Sequence, residues 1–251
     1  MAILNSGNPA LNDKTFQGGY SLSESEVMTE RGTLNKFFML CILVIASASF
    51  TWSAATQGKD ITSWIWIGAL GGLGVAIVTI FKPMWASFLA PIYALLEGLF
   101  VGGISVTYNH IFDKIAPGIV MQAVALTFGT VIAMFLLYRF RVIKATERFK
   151  SVIVTATAGI AIFYLISIGL RFFNVNIGFI HEGSTLGIIF SLVVVAVAAL
   201  NLIMDFDRIE TGVATGAPKY MEWYGAFGLI VTIVWLYLEI LRLLSKLNSR
   251  N

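Results

Sequence analysis

Residues 184–204 read STLGIIFSLVVVAVAALNLIM, without a single Asp, Glu, Lys or Arg. An α-helix needs about 20 such residues to cross the hydrocarbon core of a bilayer. Asp205-Phe206-Asp207-Arg208 follows at once, so the polar chain resumes where the span would end. Six further apolar segments match it, near 37–55, 61–81, 85–108, 117–138, 151–171 and 221–244. None shows the apolar–polar alternation of a transmembrane β-barrel. The expected fold is therefore all-α and polytopic, with seven transmembrane helices.

Composition agrees. Of the 251 residues, 57% are hydrophobic and 12% charged, where soluble domains carry about a quarter charged residues. So few charges could not keep a soluble surface wet, and so apolar a chain is not disordered. A single cysteine, Cys41, leaves neither an internal disulfide nor a Cys-based zinc site. The net charge of +3 contains no long Lys/Arg block, so nucleic acid is not an expected partner. The lipid bilayer is.

Residues 1–35 are polar and mixed in charge and read as an N-terminal arm; 36–251 read as one seven-helix domain. No basic start runs soon into an apolar core, so the first span is expected to serve as signal and anchor together. Arg139, Arg141, Lys144, Arg148 and Lys150 crowd the loop after the fourth span and should stay cytoplasmic. That places the arm in the cytoplasm and the C-terminus outside. The basic tail, with Arg242, Lys246 and Arg250, argues the opposite and would require one re-entrant segment.

Gly68 with Gly72, and Gly98 with Gly102, are spaced for close helix approach. Pro91 is expected to kink the third span. Most tryptophans lie near span ends, as interfacial anchors do. Chemistry is best sought where charge enters apolar spans, because each such residue costs about 2.5–3.5 kcal/mol on insertion scales. Glu97 sits at the centre of the third span with no basic residue in its helix. It is either a structural hydrogen-bonding group or part of an ion or proton path. Glu239 lies in the last span, three residues before Arg242 on the same helical face. Asp205 and Asp207 close the sixth span; Asn201, four residues before Asp205, shares its face, and Arg208 follows.

Two carboxylates from different helices would titrate as a pair. With Asn201, carbonyls or water they could also bind Ca²⁺, which takes six to eight oxygens. Protons and Ca²⁺ would then compete. Enzymatic signatures are missing. There is no phosphate loop, no mid-helix lysine in the last span for a retinal Schiff base, and no second histidine after His181-Glu182 for a zincin. His110 and His181 read as solvated or interfacial. No cofactor is expected beyond Ca²⁺ as a transported ion.

Several stretches carry a family likeness. Asp205-Phe206-Asp207-Arg208-Ile209-Glu210 and the run from Trp235 to Leu244 resemble the C-terminal half of the Bax-inhibitor (transmembrane BAX inhibitor motif) family. Tyr93-Ala94-Leu95-Leu96-Glu97-Gly98-Leu99 resembles its glutamate-glycine segment. Asn8-Pro9-Ala10-Leu11, Met28-Thr29-Glu30-Arg31-Gly32-Thr33 and the run from Gly216 to Tyr224 resemble the bacterial Bax-inhibitor-1-like, YccA-related branch. The likeness runs from about residue 5 to 248. It implies seven helices with the last one central, and a pH-sensitive Ca²⁺ leak gated by acids on the last two helices. Asp205 matches the first acid, with Asp207 as the other match. Glu239 matches the second, where the family usually has aspartate. On this reading Asp205 and Glu239 hold the metal, Glu97, Asp207 and Asn201 assist ion or proton sensing, and Arg208 and Arg242 act as gating partners. The leading expectation is a cation leak of the bacterial inner membrane. The alternative is an interaction protein that modulates a membrane protease or stress response through its arm; a proton-coupled transporter is a third.

Overall fold

The computed structural model describes residues 27–173 and 184–249. Asn8-Pro9-Ala10-Leu11, His181 and Arg250 lie outside the described residues. Seven long helices make up the described residues: α1 (Glu30–Thr56), α2 (Thr62–Phe81), α3 (Ala86–Phe112), α4 (Ile119–Arg139), α5 (Glu147–Phe172), α6 (Thr185–Ala214) and α7 (Met221–Asn248). Each is long and apolar enough to cross a membrane, so none of the seven is too short to span.

Local chemistry sets the helix ends. The Thr29 hydroxyl accepts from Gly32 N at 3.0 Å and opens α1 at Glu30, well before the apolar run near residue 37. Ser184 caps α6 in the same way, accepting from Gly187 N at 3.1 Å. Asp60 accepts from Thr62 N at 2.9 Å ahead of α2, and this amide holds its carboxyl below the usual range. The sixth helix does not stop at residue 204. It continues to Ala214, because Ile209 still packs on α7 beside Gly225, and Gly216, at φ 66°, then turns the chain.

The last helix is the axis of the bundle. In α7, 61% of the most apolar window is buried, against at most 44% in any other helix. It packs on α1, α3, α4 and α6; α2 leans on α3, and α5 on α6. Leu236 and Leu241 of α7 meet Leu202 and Ile203 of α6 and Leu40 of α1 in a fully buried core. Outward-facing Trp66 and Leu70 on α2 and Leu165 on α5 are more than half exposed, which suits hydrocarbon as the solvent.

The glycine pairs pack as their spacing predicts. A Cβ on Gly68 would meet the Leu96 carbonyl oxygen at 2.6 Å, and one on Gly102 the Ala48 carbonyl oxygen at 2.5 Å. So α2 and α1 press against α3 backbone to backbone. Pro91 lies within α3, which runs unbroken across it.

Candidate functional site

Helices α6 and α7 run antiparallel, and α5 lies along α6. Their seam carries a file of polar side chains. Asp205 Oδ2 accepts from the Thr232 hydroxyl at 2.6 Å, joining α6 to α7. One turn earlier on α6, Asn201 Nδ2 donates to Thr157 Oγ1 of α5 at 2.8 Å and to the Val197 carbonyl at 2.9 Å. Two turns along α5 from Thr157, the Tyr164 hydroxyl donates to Glu239 at 3.0 Å. Glu239 is 2% exposed. Arg242 Nη1 donates to both Glu239 oxygens at 2.9 and 3.0 Å and to the Tyr164 hydroxyl at 2.5 Å. Its guanidinium also lies over the Tyr164 ring.

Both ends of the file carry ammonium groups. At one end Lys150 pairs with Asp207 at 2.9 Å, next to Glu210, which takes Tyr138 and Arg141. At the other, Lys246 is 2% exposed and donates to Ser191 Oγ at 2.8 Å and the Gly187 carbonyl at 3.0 Å. A buried ammonium needs such acceptors, because an unpaired charge in an apolar interior is costly.

The expected acids therefore divide. Asp205, Asn201 and Glu239, with Arg242, share the seam. Asp205 and Glu239 do not touch: Thr232 and Glu239 stand seven residues apart on α7, about 10 Å along its axis. The reason is partner choice. Glu239 is held by Tyr164 and Arg242, whereas Asp205 takes the nearer Thr232. In this arrangement the two carboxylates cannot sit in one Ca²⁺ shell, whose oxygens lie about 2.3–2.6 Å from the ion. Among the described residues, no three His, Cys, Asp or Glu side chains gather as a metal cluster. Asp207 belongs to the basic end with Lys150. Arg208 is exposed and lies toward the opposite end of the α6–α7 pair from Arg242, so the two arginines do not act as a local pair. Glu97 is in a separate place, between α2 and α3, one helical turn along α3 from Tyr93 and with room left by Gly72.

A further ionic cluster ties α1 to α7. Glu222 is fully buried and pairs with Lys36 and with Lys219, the latter at 3.0 Å. It also accepts from Thr29 N and Thr29 Oγ1 at 2.9 and 2.8 Å. The sequence reading passed over this acid as a residue in a resemblance stretch. Its signal was the spacing of Lys219 and Glu222, three apart at the start of a span.

Seven apolar helices, the last of them buried at the axis, with ionisable side chains held at membrane depth, define a polytopic helical membrane protein. The chain belongs to the Bax inhibitor 1 like family, whose model matches residues 8–249. No curated protein matches it.

Proposed function

We propose that this protein is a pH-sensitive leak for Ca²⁺ or another cation in a bacterial inner membrane, and that it passes ions without catalysing a reaction. The observation that carries this reading is the polar file Asp205–Asn201–Thr157–Tyr164–Glu239, running between α5, α6 and α7. Ionisable side chains at membrane depth most often mark ion or proton pathways. The route is closed here by its own hydrogen bonds, since each carboxylate is taken by a hydroxyl or guanidinium. Opening it means exchanging those partners for an ion. Protons compete for the same carboxylate oxygens, which is how pH would enter. The basic loop between α4 and α5 favours a cytoplasmic position for that end, and with it the start of α1.

The test is Ca²⁺ flux into liposomes holding the purified protein, scanned across roughly pH 5–8. Asp205→Asn and Glu239→Gln are run beside the parent. Flux that depends on pH and is altered by either change supports the file as the route. Flux indifferent to both changes retains a channel but removes these acids from it. No flux above empty liposomes favours a protein-partner role for the N-terminal arm. The junction of that arm with the bundle supports this second reading: Val27 bridges to Pro218, and Met28 N donates to the Ala217 carbonyl at 2.7 Å.

A further inference from the structure

A second feature of the bundle is apolar and lies on the other side of α7. Helices α1 and α4 stand apart and wall a crevice of about 580 Å³, floored by α3 and α7. Ser105 and Tyr237 close its floor with a hydroxyl–hydroxyl hydrogen bond of 2.6 Å. Along α1 the lining runs from Cys41 to Thr56, about 22 Å of helix. One leaflet of the hydrocarbon core is about 15 Å thick, so the crevice covers a leaflet and part of its interface.

Polarity changes along its length. The deep end is lined by Cys41, Val44 and Ile45, and the other end by Ser49, Ser53 and Thr56, beside Trp52. Hydroxyls and an indole at the interface, with aliphatic walls below, match an amphiphile that enters tail first. Water is a poor occupant. Apolar cavities as large as ~150 Å³ stay dry and take apolar ligands. An occupant that packs on these walls restores contacts that an unfilled crevice of this size would forfeit.

We infer that this crevice is a lipid-binding site that takes one acyl chain of a membrane phospholipid, headgroup toward the Thr56 end. The chain packs on Ile230, Ile233, Val234 and Tyr237 of α7. By helix geometry that face is opposite the one bearing Thr232, Glu239 and Lys246. The bound chain therefore buttresses the central helix behind the polar file. The site stands independently of whether ions pass.

The test uses the full chain in phosphatidylcholine vesicles containing a minor fraction of phosphatidylcholine with a mid-chain diazirine. After irradiation, adducts are located by peptide mass spectrometry. Trp66 and Phe81, which face outward on α2, report ordinary lipid contact. Adducts at Ser49, Val124 and Tyr237 should exceed those at Trp66 and Phe81 by roughly tenfold. Ser49→Phe, which obstructs the crevice midway along its length, should bring them down to the reference level and leave Trp66 and Phe81 labelled as before. Ser49→Ala should keep them. Unchanged reference labelling shows that the variant folds. The inference is overturned by crevice labelling no greater than the reference, by labelling indifferent to Ser49→Phe, or by a water-soluble carbene probe marking the crevice. Burial of the crevice in a dimer of this chain, seen as loss of labelling with a doubled mass, would overturn it too.

Discussion

Asp205 and Thr232 meet across the α6–α7 interface at 2.6 Å, two turns of α7 away from the Glu239 carboxylate. The bond fixes the level at which the sixth helix meets the central one. Thr232→Val keeps the shape and removes the donor. Losing one partner of a buried polar group costs about 1–3 kcal/mol. The expected result is a lower melting temperature in detergent, restored by Thr232→Ser. A Val variant as stable as the parent would show that Asp205 has another partner ready.

Tyr164 is the tether of α5. That helix leans on α6, its most apolar window is only 6% buried, and polar links join it to the rest at Lys150–Asp207, Thr157–Asn201 and Tyr164–Glu239. Tyr164→Phe keeps the ring and its contact with Phe190, and removes the hydroxyl shared by Glu239 and Arg242. The expected cost is about 1–2 kcal/mol. Amide hydrogen exchange should quicken in α5 and leave α7 unchanged. Equal exchange in both proteins would mean that the apolar contact alone holds α5.

The number of spans, and the placing of Glu97 and Glu239 within them, were legible because a run without charges is a strong signal and a charge inside one is a costly exception. Helix ends were less so. Hydropathy starts α1 near residue 37, but the Thr29 cap and buried Glu222 start it at Glu30. Hydropathy also ends α6 near 204, but one apolar face carries the helix on to Ala214. Of the partners of these acids only Arg242, three residues from Glu239 on one helix, was legible. Thr157, Tyr164 and Thr232 are single hydroxyls on apolar helices, and no spacing says which acid a hydroxyl on another helix will meet. For the same reason the family's acid pair could be placed on Asp205 and Glu239 but not its separation.

Gly32 makes room for Glu222. A methyl group there would run into the carboxylate that Lys36, Lys219 and Thr29 share. Gly32→Ala should therefore lower the melting temperature, and so should Glu222→Ala, since breaking a buried ion pair costs about 3–5 kcal/mol. The two changes should not add. Once the carboxylate is gone the methyl group has space, so a double-mutant cycle should show a coupling of about 0.5–3 kcal/mol. Strict additivity would mean that the glycine is needed for some reason other than Glu222.

Orientation follows from which charges remain free at each end. Arg139, Lys144, Arg148 and Arg208 crowd the end where α1 begins, whereas Lys59 and Lys114 at the other end stand beside Asp60 and Asp113. The basic tail, which argued for a cytoplasmic C-terminus, weighs less in the structure: Arg242 is held by Glu239, and Lys246 is buried against Gly187 and Ser191. Neither presents a free charge to the aqueous phase. With Cys41→Ser as background, a membrane-impermeant maleimide should label Lys59→Cys and Ser249→Cys in intact cells. It should label Lys144→Cys only after the membrane is opened. Labelling of Lys144→Cys from outside would invert the bundle. Protection of Ser249→Cys together with labelling of Lys59→Cys would require one of the seven helices to leave the membrane on the side it entered.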